Sequence, residues 1–208
     1  MTVAKRQALF VFFAMAYFAI NTSYAAVSTS NSKLEACLKK AEDLPDIAAA
    51  DAELWFKRGG GENARFCHAS AQFNRGEYVL AGRGFASLAA THDKTDARHA
   101  AQLHARAGLS FARANDSKDT EKEYGAALKL EPVDSEIWMD RASARASSEH
   151  YWDAISDLNH ALKITPDMPE ALRLRGQCWT KLGNKKNAEA DFIAAEDIEA
   201  EEQAKTKR

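Results

Sequence analysis

The chain has 208 residues, with 28 Lys plus Arg against 30 Asp plus Glu and a formal net charge of −2. Charges of both signs are interspersed along it, which argues against a nucleic-acid-binding face. The length suffices for one domain or one repeat array.

The first residues read as an address. Lys5 and Arg6 precede an apolar run from Ala8 to Ile20, and polar residues ending in small ones follow. That order is the pattern of a secretory signal peptide. Ser23 and Ala25 suit the −3 and −1 places, so cleavage is expected after Ala25, with Ala26 as the neighbouring choice. The apolar run is shorter than the ~20 residues of a spanning helix. No cysteine lies at the cleavage point, so a lipid anchor is not expected. Removing 1–25 leaves a net charge of about −4 and no second apolar stretch long enough to span a membrane. The expectation is an exported protein, periplasmic or secreted, with no stable membrane span and no nucleic-acid partner.

Residues 26–32 form a polar lead-in. Leu34, Cys37, Leu38 and Ala41 then recur at helical spacing. After Pro45 a second helix is predicted from about Asp46 to Lys57, with Ile47, Ala50, Leu54 and Trp55 as its apolar residues. Together, 33–60 read as an N-terminal capping hairpin. Gly59-Gly60-Gly61 ends it. No strand precedes these glycines and no GK[ST] follows, which argues against a phosphate-cradling loop.

From 61 to 198 the chain reads as a repeat array. A degenerate unit spans about 62–92, with Ala69, Ala81 and Phe85 at its small and large places and Gly82 and Gly84 in its second helix. Close helix approach would compensate the cost of those glycines, about 1 kcal/mol each. Thr95 or Asp96 is placed to cap the next helix. The unit 97–131 has an extended first helix, a turn at Asn115-Asp116-Ser117-Lys118, and Thr120 where a small Ala is expected. Two clear units follow, 135–168 and 169–198, offset by 34 residues: Ala142 and Gly176, Ala154 and Ala188, Leu158 and Phe192, Ala161 and Ala195, with Pro132 and Pro166 closing the units before them. Asp134 is placed to cap a helix over 136–147, and Asp167 with Glu170 resembles a capping box. Gly183-Asn184 turns the last hairpin. Residues 199–208 are a charged tail.

Export implies an oxidising compartment. Of the three cysteines, Cys37 and Cys67 lie 30 residues apart, near one repeat length, so that neighbouring hairpins could bring them together. A Cys37–Cys67 disulfide is expected, the alternative being two separate buried thiols. Cys178 reads as a small buried apolar residue.

The period, with small residues at places 8, 20 and 27 and a large apolar one at place 24, resembles a tetratricopeptide-repeat protein. The resemblance is strong over 135–198, fair over 97–132 and weak over 62–92. It implies an all-α fold of about five antiparallel helix pairs stacked into a right-handed superhelix. The N-terminal part, with Cys37, Trp55, the three glycines and Cys67, also looks like exported tetratricopeptide proteins of Gram-negative bacteria. Two departures stand out. Arg141 and Arg175 occupy place 7, where leucine is commonest. Arg145 replaces the usual aromatic at place 11, which predicts a less tightly specified helix.

The resemblance further implies that partners lie in a concave groove lined by places 2, 5, 9, 12 and 13 of each first helix. The residues carried over are Asn63, Phe66, Ser70, Phe73 and Asn74 in the degenerate unit, and Gln102, Leu109 and Arg113 in the next. The third unit offers Glu136, Met139 and Ser143. The last offers Glu170, Arg173, Gln177 and Lys181. A peptide would rest apolar anchors near Phe66, Phe73 and Leu109 and an acidic group near Arg173 and Lys181. The lysine and asparagine of a carboxylate clamp are replaced by Phe66 and Ser70, so that clamp is not predicted.

No HExxH, GxSxG or paired Cys–His motif occurs, and the six histidines form no ligand cluster in sequence. The reading is therefore a non-catalytic protein- or peptide-binding scaffold of the cell envelope, with no cofactor and no metal. The alternative is a self-associating structural subunit of an envelope assembly.

Overall fold

The computed structural model describes residues 31–92 and 94–206. The expected signal peptide and most of the lead-in lie outside them. The described residues are helical throughout, with no strand: α1 (31–43), α2 (Pro45–Lys57), α3 (Gly61–Asn74), α4 (Tyr78–His92), α5 (Ala97–Arg113), α6 (Ser117–Leu130), α7 (Ser135–Ser147), α8 (Tyr151–Ile164), α9 (Pro169–Lys181) and α10 (Lys185–Thr206). They divide between Arg75 and Gly76 into two compact units, inside the stretch read from sequence as one degenerate repeat.

The first unit holds α1, α2 and α3. Pro45 occupies the first turn of α2, where its missing N–H is harmless. Ala48, Ala49 and Ala52 are the buried face of α2. This corrects the face predicted from Ile47, Ala50, Leu54 and Trp55, since Ile47 and Leu54 are half exposed. Alanines let α2 approach its neighbours closely, and the larger residues are left outside. Gly59, at φ +87°, ends α2, and the Gly60 N–H donates to the Trp55 carbonyl at 2.9 Å. A Cβ on Gly60 would lie 2.4 Å from the Trp55 ring, so only glycine fits there. Cys37 of α1 and Cys67 of α3 form the expected disulfide across a Cα–Cα distance of 6.1 Å. Ala52, Leu34 and Trp55 pack around it.

The second unit is a run of antiparallel helix pairs. Each of α4 to α10 packs on the next, and the first helices of successive repeats also meet, α5 on α7 and α7 on α9. Small residues set the spacing. A Cβ on Gly108 would lie 2.8 Å from the Tyr124 ring, and one on Gly176 would lie 2.8 Å from the Phe192 ring. These are place 8 against place 24 in two repeats, and Ala142 with Leu158 is the third instance, both fully buried. A Cβ on Gly82 would lie 2.9 Å from the Phe111 ring, and this close approach is the compensation expected for a helical glycine.

Side-chain caps form at the two expected places, Asp96 and Asp134, and also at Asp116 of the turn before α6. Asp96 accepts from the His99 N–H, Asp116 from the Asp119 N–H, and Asp134 from the N–H groups of Glu136 and Ile137. The capping box at Asp167 does not form. Met168 is the N-cap of α9 and gives no side-chain hydrogen bond. Pro169 fixes the first helical position, which leaves Asp167 one residue too early.

The C-terminal end departs from the repeat. Ile155 and Leu162 of α8 lie in the core against α9, whereas their equivalents on α10 are Glu189 and Glu196, both exposed. The helix runs unbroken to Thr206, through most of the stretch expected as a charged tail.

Candidate functional site

The first helices α5, α7 and α9 bury one side and expose the other. On α5, Leu103, Ala107 and Phe111 are buried while Gln102, Leu109 and Arg113 are exposed. On α7, Ile137 and Ala142 are buried, Glu136 and Ser143 exposed, and Met139 half-buried. On α9, Leu172, Gly176 and Cys178 are buried, Glu170, Gln177 and Lys181 exposed, and Arg173 half-buried. The carried-over places thus share the solvent side of three helices that pack in succession. In the first unit, Asn63, Phe66, Ser70 and Phe73 are half-buried on α3. The Ser70 hydroxyl donates to the Phe66 carbonyl at 2.9 Å, and the Asn74 amide donates to the Ala41 carbonyl of α1 at 2.9 Å. Asn74 is therefore engaged in holding α3 to α1.

Arg173, expected to receive a partner's acid, is already held by both carboxylate oxygens of Glu199 on α10. That contact keeps the Glu199 carboxyl below its ordinary range. Lys181 has no ion pair among the described residues. With Arg173 neutralised from within the chain, Glu136 and Glu170 are exposed carboxylates of α7 and α9 that have no ion pair among the described residues. Asp140, half-buried one turn beyond Glu136, is pushed up to about 6, first by burial and then by Glu136 and Asp134.

Behind this face runs a series of buried ion pairs. Place 23 is an acid in all three repeats: Glu123, Asp157 and Asp191, all buried. Arg141 binds Asp157 through two hydrogen bonds of 2.9 and 2.8 Å. Arg175 binds Asp191 likewise at 2.9 and 2.6 Å, and also reaches Asn159 at 2.7 Å. In the repeat before, place 7 is Ala107, and His104 one turn earlier meets Glu123 at 2.7 Å, with Lys122 on the other oxygen at 2.6 Å. Burial works to raise the Glu123 carboxyl, but the hydrogen bonds from His104 and Lys122 outweigh it and leave it below the usual range. Arg145 spans repeats, with two 2.7 Å bonds to Glu121 of α6 and one of 2.8 Å to Asp157 of α8. The expectation that Arg145 loosens α7 is therefore corrected: its planar fork ties three helices where an aromatic would have filled one gap.

An open cleft of about 360 Å³ lies at the α6–α7 junction, beside Gln102 and Glu136. Its walls include Glu131, Val133 and Asp134 of the loop and Ile164 at the end of α8. None of these four was singled out in the sequence as lining a site. Among the described residues no helix is long and apolar enough to cross a membrane.

Comparison with known proteins places this geometry. No protein-family model matches the sequence. The structure resembles that of a MamA double mutant, with a TM-score of 0.68 and 15% identity over 85% of this chain and 96% of that one. It also resembles MamA, residue 41 to the end, from Desulfovibrio magneticus RS-1, with a TM-score of 0.67 and 15% identity over 84% and 95%. MamA is a tetratricopeptide-repeat protein, and at this identity the likeness shows the fold. Two curated relatives, both containing such repeats, match in sequence. The SGT1 homolog of Oryza sativa subsp. japonica is 28% identical over 91 residues, 44% of this chain and 24% of that protein. The DnaJ homolog subfamily C member 7 homolog of Dictyostelium discoideum is 32% identical over 73 residues, 35% and 14%. The match thus spans a quarter or less of either relative.

Proposed function

We propose that this tetratricopeptide-repeat chain is a non-catalytic scaffold that acts in the cell envelope after export and docks a protein or peptide on the exposed side of α5, α7 and α9. The observation that carries this is the register of that face. Gln102, Leu109, Glu136, Ser143, Glu170 and Gln177 repeat at matching places on three helices whose opposite sides are buried. A surface that is polar, varied and rigidly backed suits recognition of an extended or helical segment. Export draws support from the signal-like N-terminus and from the Cys37–Cys67 disulfide, which persists in oxidising compartments.

The test is site-specific photocrosslinking in living cells. Probes at Gln102, Glu136 and Gln177 should capture one shared partner, and a probe at Asp153, exposed on α8, should not. Capture at Asp153 alone would move the binding surface to the other side of the array.

A second reading, self-association, draws on Trp152, which is 65% exposed with its ring edge-on to Trp179 at 5.5 Å. The acidic residues Glu189 and Glu196 on α10 oppose end-to-end stacking of copies. Light scattering that yields a monomer at high concentration would remove this reading.

A further inference from the structure

The α6–α7 junction carries features that the repeat does not require. Its sequence Glu131-Pro132-Val133-Asp134 corresponds, 34 residues on, to Thr165-Pro166-Asp167-Met168. Only the proline is kept. Both carboxylates and the valine are particular to the first junction. Val133 is 69% exposed and Ile164 is 39% exposed, and both line the same 360 Å³ cleft. Two aliphatic side chains beside an open cleft leave apolar area that an occupant would cover, at roughly 25 cal/mol per Å².

The charge around them is mostly of one sign. Glu131 and Glu136 have no ion pair among the described residues. Asp134 accepts the N–H groups of Glu136 and Ile137 at 3.0 and 3.2 Å, which holds its carboxylate in place. Arg98 is the one cation in the lining among the described residues. Asp140, half-buried nearby, is raised first by burial and then by Glu136 and Asp134.

We infer that this cleft docks a basic segment of a partner protein, with a Lys or Arg between Glu131 and Glu136 and an aliphatic side chain against Val133 and Ile164. This rests on the scaffold reading above and specifies the partner's chemistry. It reverses the sign expected from Arg173 and Lys181: Arg173 is already held by Glu199, whereas Glu131 and Glu136 have no ion pair among the described residues.

The test uses the mature chain and a fluorescein-labelled nonapeptide with a Lys-Leu-Lys core, compared with its Glu-Leu-Glu counterpart, read by anisotropy at physiological salt. The lysine peptide should bind and the glutamate peptide should not. E131Q with E136Q should weaken the lysine peptide at least tenfold, and Val133→Ser should weaken it with the charges intact. E189Q with E196Q, which removes equal charge at the far end, should leave binding unchanged. Equal loss in the E189Q/E196Q chain, or preference for the glutamate peptide, would overturn the inference. Thermal melts of each variant separate loss of binding from loss of fold. The two proposals fail separately: if the partner crosslinked at Gln177 is still captured by the E131Q/E136Q chain as strongly as by wild type, the scaffold stands and the basic-segment site falls.

Discussion

Arg141 lies across Asp157, two hydrogen bonds joining place 7 of one helix to place 23 of its partner, and Arg175 repeats the contact with Asp191. Leucine is commonest at place 7 of tetratricopeptide repeats, and a leucine there would need no acid opposite. The arginine commits the repeat to a carboxylate, because an unpaired charge at a buried place is far more costly than a pair.

Removing the acid should therefore cost more than removing either base. Asp157→Ala leaves Arg141 uncompensated and deprives Arg145 of one contact, and should lower stability by about 3 kcal/mol in urea unfolding. Arg141→Leu should cost less, since Arg145 still neutralises Asp157. Equal losses would show that Arg145 contributes nothing to the pair.

Two glycines give opposite outcomes on the same substitution. Gly108→Ala drives a Cβ to within 2.8 Å of the Tyr124 ring and should destabilise by about 1–3 kcal/mol despite the better helix propensity of alanine. Gly125→Ala meets nothing within 4 Å and should stabilise by up to about 1 kcal/mol. Calorimetry of both variants checks the contrast.

The disulfide closes a 30-residue separation, which should stabilise the first unit by about 3.5 kcal/mol. Reduction, or Cys37→Ser with Cys67→Ser, should make α1 to α3 susceptible to limited proteolysis. Non-reducing mass spectrometry should show Cys37 joined to Cys67 and Cys178 as a thiol. Burial holds that thiol above its ordinary value, so alkylation at neutral pH should be slow until the second unit unfolds.

Asp140 should make stability depend on pH in the unusual sense for a carboxylate. Its folded value, about 6, lies above the ordinary aspartate value, so the ionised form opposes folding. The penalty is full above pH 6 and disappears as pH falls toward 4. Asp140→Asn should gain on the order of 1 kcal/mol at pH 7.5, after allowing for partial solvent screening, and nothing at about pH 4. A constant difference across that range would refute the assignment.

The helical architecture was legible because the period places small and large residues against each other at fixed offsets. The solvent side of α5, α7 and α9 followed from the same register. The buried pairs were not read, although the signal existed: Arg141 and Arg175 are 34 apart, and so are Asp157 and Asp191. Matching offsets in opposite charges mark a contact repeated from one unit to the next. Apolar size is a poor guide to the α2 face, because close packing there selects alanine: Ala48, Ala49 and Ala52 are buried. The Arg173–Glu199 pair is not legible in the sequence, because Glu199 lies in the charged stretch after Ile198. The cleft at Val133 lay in a loop, where no periodicity operates.

Glu189 and Glu196 carry a consequence for building with this chain. They stand where α8 presents Ile155 and Leu162 to the next repeat, so α10 is a terminus written into the surface chemistry. Appending another copy of 135–168 after Glu202 would seat apolar residues on two carboxylates and give a poorly joined extension. Changing Glu189 to Ile and Glu196 to Leu first would turn the terminus back into a joint, so two substitutions would decide whether the array stops or grows.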